Sequence, residues 1–205
     1  MIMRILKFIV IFLWVGIYSC KQKAESHKIG PTAIRLSNTA MALVPFIKNT
    51  DSSEKAILLL DSATEIDNNY FLGYQNKLMF LNELKQYCKA IIAINNLIRI
   101  KPIAQDLYFN GGLLYEKTGD TVSSKNYFQK SLTICNNVLD TMTASDRDYE
   151  MLNSYKAVNL IMLGEQAKAN KLLNNLYDNQ TDTSLKKSIL LLMNKNKQEF
   201  IEAYN

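Results

Sequence analysis

Residues 56–66 read AILLLDSATEI, residues 90–100 read AIIAINNLIRI and residues 124–134 read SKNYFQKSLTI. Overlaid at a spacing of 34, they share columns: Ala56, Ala90 and Ser124, then Leu60, Ile94 and Phe128, then Ala63, Leu97 and Ser131, then Ile66, Ile100 and Ile134. Asn68, Pro102 and Asn136 close the three blocks with residues that disfavour helix continuation. Steps of three and four place these columns on one helical face, and the small positions let a second helix approach closely. Breakers at residues 49–53, 67–69, 101–102, 118–120, 136–137, 164, 178–182 and 194–196 divide the chain into segments one helix long. Antiparallel pairs joined by short loops are the simplest way to bury such stripes. Seven glycines and three prolines in 205 residues leave little material for the tight turns of a many-stranded sheet.

The first half of the pattern is fullest in the third block, with Tyr108, Gly112, Tyr115 and Gly119. A 34-residue period of this composition resembles the tetratricopeptide repeat, in which these are the aromatic of the first helix, its close-packing glycine, its tyrosine and the turn glycine. The second block has Tyr74, Leu81, Leu84 and Tyr87, with Leu78 and Lys85 standing in the two glycine columns. In the first block Val44, Ile47 and Asp51 fill the columns, and Pro45 falls where it should kink or shorten a helix. A fourth block, with Leu160, Leu163, Gly164, Ala169, Leu173 and Leu176, follows 11 residues later than one period allows. The surplus falls at residues 138–147, as a longer second helix or a loop, and Ser145 with Asp148 reads as a capping box for the next helix. A last pair, residues 184–193 and 197–204, would seal the open end. The expected fold class is all-α: a right-handed superhelix of antiparallel helix pairs over residues 32–205, about four repeats plus C-terminal capping helices.

In such an array the first helices of successive pairs line a concave groove. The resemblance implies that Leu72, Gln75, Asn76, Met79, Asn82 and Glu83 face it in the second block, and Asp106, Phe109, Asn110, Leu113, Glu116 and Lys117 in the third. A Met/Phe/Leu floor with amide and acidic edges suits an extended peptide or a helix. The alternative is that Phe109, Leu113 and Met79 are covered by the final helices and are core. The helix-face positions lack the basic and amide set with which some arrays grip a C-terminal carboxylate: Met41 and Pro45 hold the first helix's share, Asp106 and Asn110 the third's, and only Asn76 agrees. An acidic tail is therefore not the expected ligand.

The N-terminus carries a separate message. Arg4 and Lys7 precede an apolar run over residues 8–17, too short to span a bilayer, and polar sequence follows at Lys21. Residues 1–19 read as a signal peptide and residues 20–31 as a polar linker. Ile17-Tyr18-Ser19-Cys20 resembles the lipobox of bacterial lipoproteins, which implies lipid on Cys20 and membrane attachment by several acyl chains. The absence of an acidic residue directly after Cys20 resembles lipoproteins sent to the outer membrane, and the expected location is the periplasmic face of that membrane. A Bacteroidetes-like Gram-negative source fits this reading.

Losing Arg4 and Lys7 leaves a charge of +3 out of +5, too small for a nucleic-acid footprint. The excess gathers at Lys168, Lys171, Lys186, Lys187, Lys195 and Lys197. Cys88 and Cys135 should sit at distant helix ends, unpaired and mostly buried. His27, the one histidine, lies in the linker, so the helical body has no imidazole for catalysis or metal binding. Carboxylates such as Glu65, Asp67, Asp146 and Asp148 fall at helix ends, where capping accounts for them. No catalytic residue, metal site or cofactor is expected. Two readings of function remain: a membrane-tethered adaptor whose groove binds a protein or peptide, and a structural subunit of an envelope or outer-membrane assembly complex with no free ligand.

Overall fold

A computed structural model describes residues 27–146, 148–193 and 195–203. The signal segment and Cys20 lie outside the described residues. Ten α-helices follow in order: α1 (Pro31–Met41), α2 (Thr50–Ile66), α3 (Phe71–Glu83), α4 (Tyr87–Ile100), α5 (Gln105–Thr118), α6 (Thr121–Leu139), α7 (Tyr149–Met162), α8 (Gln166–Asn179), α9 (Thr183–Met193) and α10 (Lys197–Ala203). From α1 to α9 each helix packs on the next, which makes the described residues an α-solenoid of antiparallel pairs. Helix α10 breaks this order and returns to α5.

The repeat columns explain the stacking. Ala56, Ala90, Ser124, Leu60, Ile94, Phe128, Ala63, Leu97 and Ser131 are all 0% exposed, so the first three columns form the seam of each pair. Where the small residue is serine, its hydroxyl finds an acceptor on the first helix of the pair: Ser124 Oγ donates to Glu116 Oε1 (2.6 Å) and Ser131 Oγ to the Gln105 carbonyl (2.8 Å). A buried hydroxyl without such a partner would be costly. The fourth column drifts, with Ile134 buried and Ile66 exposed. Gly112 lets α5 and α6 meet closely, because a Cβ there would lie 2.7–2.9 Å from three ring atoms of Phe128.

The turns between paired helices share one design. In α3–α4, α5–α6 and α7–α8 the N–H one past the turn residue bonds to a carbonyl five residues back: Gln86 to Leu81, Asp120 to Tyr115, Glu165 to Leu160. The turn residue takes a left-handed backbone, with φ of 80° at Gly119, 81° at Gly164 and 54° at Lys85. Lysine thus adopts a conformation that glycine reaches without steric cost.

Several sequence expectations change. Pro45 shortens rather than kinks: α1 ends at Met41, and Pro45 sits in a separate 3-10 helix, Val44–Phe46. Asn136 and Asn137 do not stop α6, which runs on to Leu139, since asparagine costs a helix only a few tenths of a kcal/mol. The extra 11 residues are therefore shared between a longer α6 and the loop after it. Ser145 and Asp148 form no capping box; Asp146 instead accepts from the Thr143 N–H at 2.6 Å within the loop. Cys88 and Cys135 are both unpaired, but only Cys135 is buried and Cys88 is exposed.

Gly112→Ala should lower stability by about 1–2 kcal/mol in thermal or urea unfolding, because crowding the enclosed Phe128 ring outweighs the roughly 1 kcal/mol helix-propensity gain. Burial pushes the Cys135 thiol up to about 11, against a smaller opposing effect of Lys156. Alkylation at neutral pH, mapped by mass spectrometry, should modify Cys88 and spare Cys135 until the chain unfolds.

Candidate functional site

Helices α3 and α5 and the segment after the 3-10 helix enclose a concavity of about 570 Å³. Gln75, Met79, Asn82 and Glu83 of α3 line it, with Asn110, Leu113 and Lys117 of α5. These seven were expected at the groove from the repeat phase. Their spacing of three and four along each helix brings them to one face.

The other five expected residues lie elsewhere. Leu72 is exposed and Asp106 is exposed, neither on the cavity wall. Asn76 is committed to the fold, its Nδ2 donating to Ser37 Oγ (3.1 Å) and tying α3 to α1. Phe109 is core: it is 4% exposed, and its ring packs at 5.4 Å, tilted by 58°, on Phe128. Glu116 accepts from Ser124 Oγ and from Lys197 Nζ, each at 2.6 Å.

The last contact divides the groove. Helix α10 lies across the face of α5, and Phe200, 7% exposed, enters the apolar cluster that holds Phe109, Leu113, Leu160 and Met162. A reciprocal cap organises the helix start: the Asn196 N–H donates to Glu199 Oε2 (2.7 Å) and the Glu199 N–H to Asn196 Oδ1 (3.0 Å). The C-terminal half of the groove is thus filled by the chain's own last helix. Leu113 borders both halves, whereas Met79 belongs to the open half.

The open half also holds residues that the repeat phase did not indicate: Ile47, Lys48, Leu78, Lys85, Tyr87, Ile94 and Leu114. Ile47 and Lys48 come from the irregular segment after the 3-10 helix. Lys85 comes from the turn, where its departure from glycine was the one available signal. Lys48 Nζ lies 2.9 Å from Glu83 Oε2 at the rim. Lys117 Nζ lies over the Tyr87 ring, 5.1 Å from its centroid, and its ammonium is held below the usual lysine range by burial first and by repulsion from Lys85 second.

Several carboxylates elsewhere have structural partners. Asp67 receives His27 Nε2 at 2.8 Å on both oxygens, and Asp120 caps α6 by accepting from the Ser123 N–H at 2.9 Å. Among the described residues no three of the His, Cys, Asp and Glu side chains are grouped to hold a metal ion, and no helix is long and apolar enough to cross a membrane.

No protein-family model and no curated protein matches the chain. Among solved structures it is similar to PilW, a widely conserved type IV pilus biogenesis factor, at 16% identity over 85% of this chain and 75% of that one, with a TM-score of 0.49. It is also similar to MamA from Desulfovibrio magneticus RS-1, from residue 41 of that protein to its end, at 12% identity over 74% of this chain and 96% of that one, with a TM-score of 0.43.

Phe200→Ala should release α10. Amide hydrogen exchange over residues 197–203 is expected to lose its protection, with exchange in α3 and α4 unchanged.

Proposed function

We propose that this chain is a membrane-anchored adaptor of the cell envelope, which holds a segment of another protein in the open half of its groove. The observation that carries this reading is the occupied half. There the face of α5 receives a helix through one buried aromatic, Phe200, and one ion pair, Lys197 to Glu116 at 2.6 Å. The open half continues that face with an apolar floor of Leu78, Met79 and Leu113 and the amides of Gln75, Asn82 and Asn110. Apolar anchors with a few convergent polar groups are what peptide recognition requires. Attachment rests on the sequence alone: the basic and apolar leader and Cys20 support a lipid anchor, with the body on the periplasmic side of the outer membrane.

Photo-crosslinkers at Asn82 and Asn110 should give discrete adducts in membranes, and Met79→Glu should abolish them. The same crosslinker at Leu58 and Ile92, exposed on second helices of their pairs, should give none. Adducts confined to Leu58 and Ile92, in a fixed stoichiometry, would mean a structural subunit instead. Separately, Cys20→Ser should abolish palmitate incorporation and move the protein out of the membrane fraction.

A further inference from the structure

We infer that one edge of the solenoid, formed by the α2–α3 and α4–α5 turns, rests on the bilayer surface, with Ile103 inserted among the lipids beside Lys101. This rests on the lipid anchor at Cys20 proposed above and adds which side of the body meets the membrane. The chain enters α1 at that edge and is fixed there. Ile29 packs on the apolar cluster of Ala33, Ala63 and Tyr70, and His27 Nε2 lies 2.8 Å from both carboxylate oxygens of Asp67 in the α2–α3 turn. His27 follows Cys20 by seven residues, a span of at most about 25 Å when fully extended. A body anchored through Cys20 therefore keeps this edge close to the lipid headgroups.

The two turns lie against each other. Arg99 donates from Nη1 to Asn69 Oδ1 (2.9 Å) and from Nη2 to the Asn68 carbonyl, and Lys101 Nζ sits 4.0 Å from the centroid of the Phe71 ring. Ile103, in the α4–α5 turn, is 81% exposed, and Ile66 and Leu72, on either side of the α2–α3 turn, are each more than half exposed. Single exposed apolar side chains are ordinary, but these share the edge that the tether holds to the membrane. Entering the bilayer removes them from water, and the tether makes that weak contact intramolecular, at high effective concentration. The charges at this edge are mixed: Lys28, Arg99 and Lys101 accompany Glu65, Asp67 and Asp106. Apolar insertion therefore carries the contact, rather than attraction to anionic lipid. The turns at Lys85 and Gly119 lie at the opposite ends of these helices, and the open half of the groove, with Asn82, Glu83 and Lys85 on its wall, is turned toward them. Docking on the first edge thus holds the groove away from the bilayer, where a partner can reach it.

The test is tryptophan fluorescence of the full chain, purified from membranes and reconstituted in phosphatidylethanolamine and phosphatidylglycerol vesicles, part of whose acyl chains are brominated. Trp14→Phe first removes the single tryptophan of the sequence. On that background Ile103→Trp should lose emission to the brominated chains, in low and in high salt alike. Val122→Trp, at a 72% exposed position beside the α5–α6 turn, should keep its emission. Because tryptophan itself favours the interface, a second pair of variants guards the result: Leu72→Trp should be quenched, and adding Ile103→Asp should reduce that quenching. Both positions are exposed, so the melting temperature should not fall. Emission at residue 103 that is unquenched in vesicle-bound protein, equal quenching at 103 and 122, or quenching of Leu72→Trp that Ile103→Asp leaves unchanged overturns this inference and leaves the anchor standing. A blue shift at residue 103 without quenching assigns the edge to a protein contact and also overturns it. Protein that carries no lipid and does not float with the vesicles removes the anchor reading and this inference together.

Discussion

Close approach of the two helices within each pair is the constraint on which the rest of the molecule depends. A helix with one apolar stripe needs a neighbour seated deeply enough to exclude water along its whole length. Here Ala56, Ala90 and Ser124 recur at the same depth of the seam, with the large Leu60, Ile94 and Phe128 one turn further on, all closed to solvent. The small column sets the distance, and the large column fills the space that results. Gly112 serves the same purpose from the opposite side of the third pair, where it leaves room for Phe128.

A fixed seam and a repeated turn make each pair a similar unit, and similar units stacked in order leave their first helices side by side. That arrangement creates the groove without any residue being devoted to it. The irregular parts then give the groove its character. Pro45 ends the first helix early enough for Lys48 to reach the rim. Lys85 occupies a glycine position and lines the cavity. The long α6 and the loop after it displace the fourth pair from the 34-residue rhythm, and beyond that pair the last helix leaves the stack to lie on α5.

The two halves of the groove use one surface in two ways. Phe109 and Glu116 belong to the same helical face as Asn110, Leu113 and Lys117, and both are taken up by the protein itself. Phe109 joins the core, and Glu116 binds Ser124 and Lys197. A self-bound helix shows what this face accepts: one aromatic anchor, and one ion pair at its edge.

The order of helices, the seam residues and the face that each helix turns to its neighbour were legible from the chain alone, because burial periodicity is a local property that spacing records directly. Seven of the twelve expected groove residues line the cavity for that reason. Periodicity cannot say whether something else lies on top of a face. Phe109 shares its apolar cluster with Phe200 of α10, and Glu116 meets Lys197 across 81 residues of sequence. Nor does it reach turns and 3-10 segments, whose side chains follow backbone angles rather than a helical phase, and these supply Lys48 and Lys85. Spacing along the chain is enough to assign which helices stack and along which stripe. Which half of the groove is open, and which charges surround it, emerges with the fold, since both depend on contacts between segments that are distant in sequence.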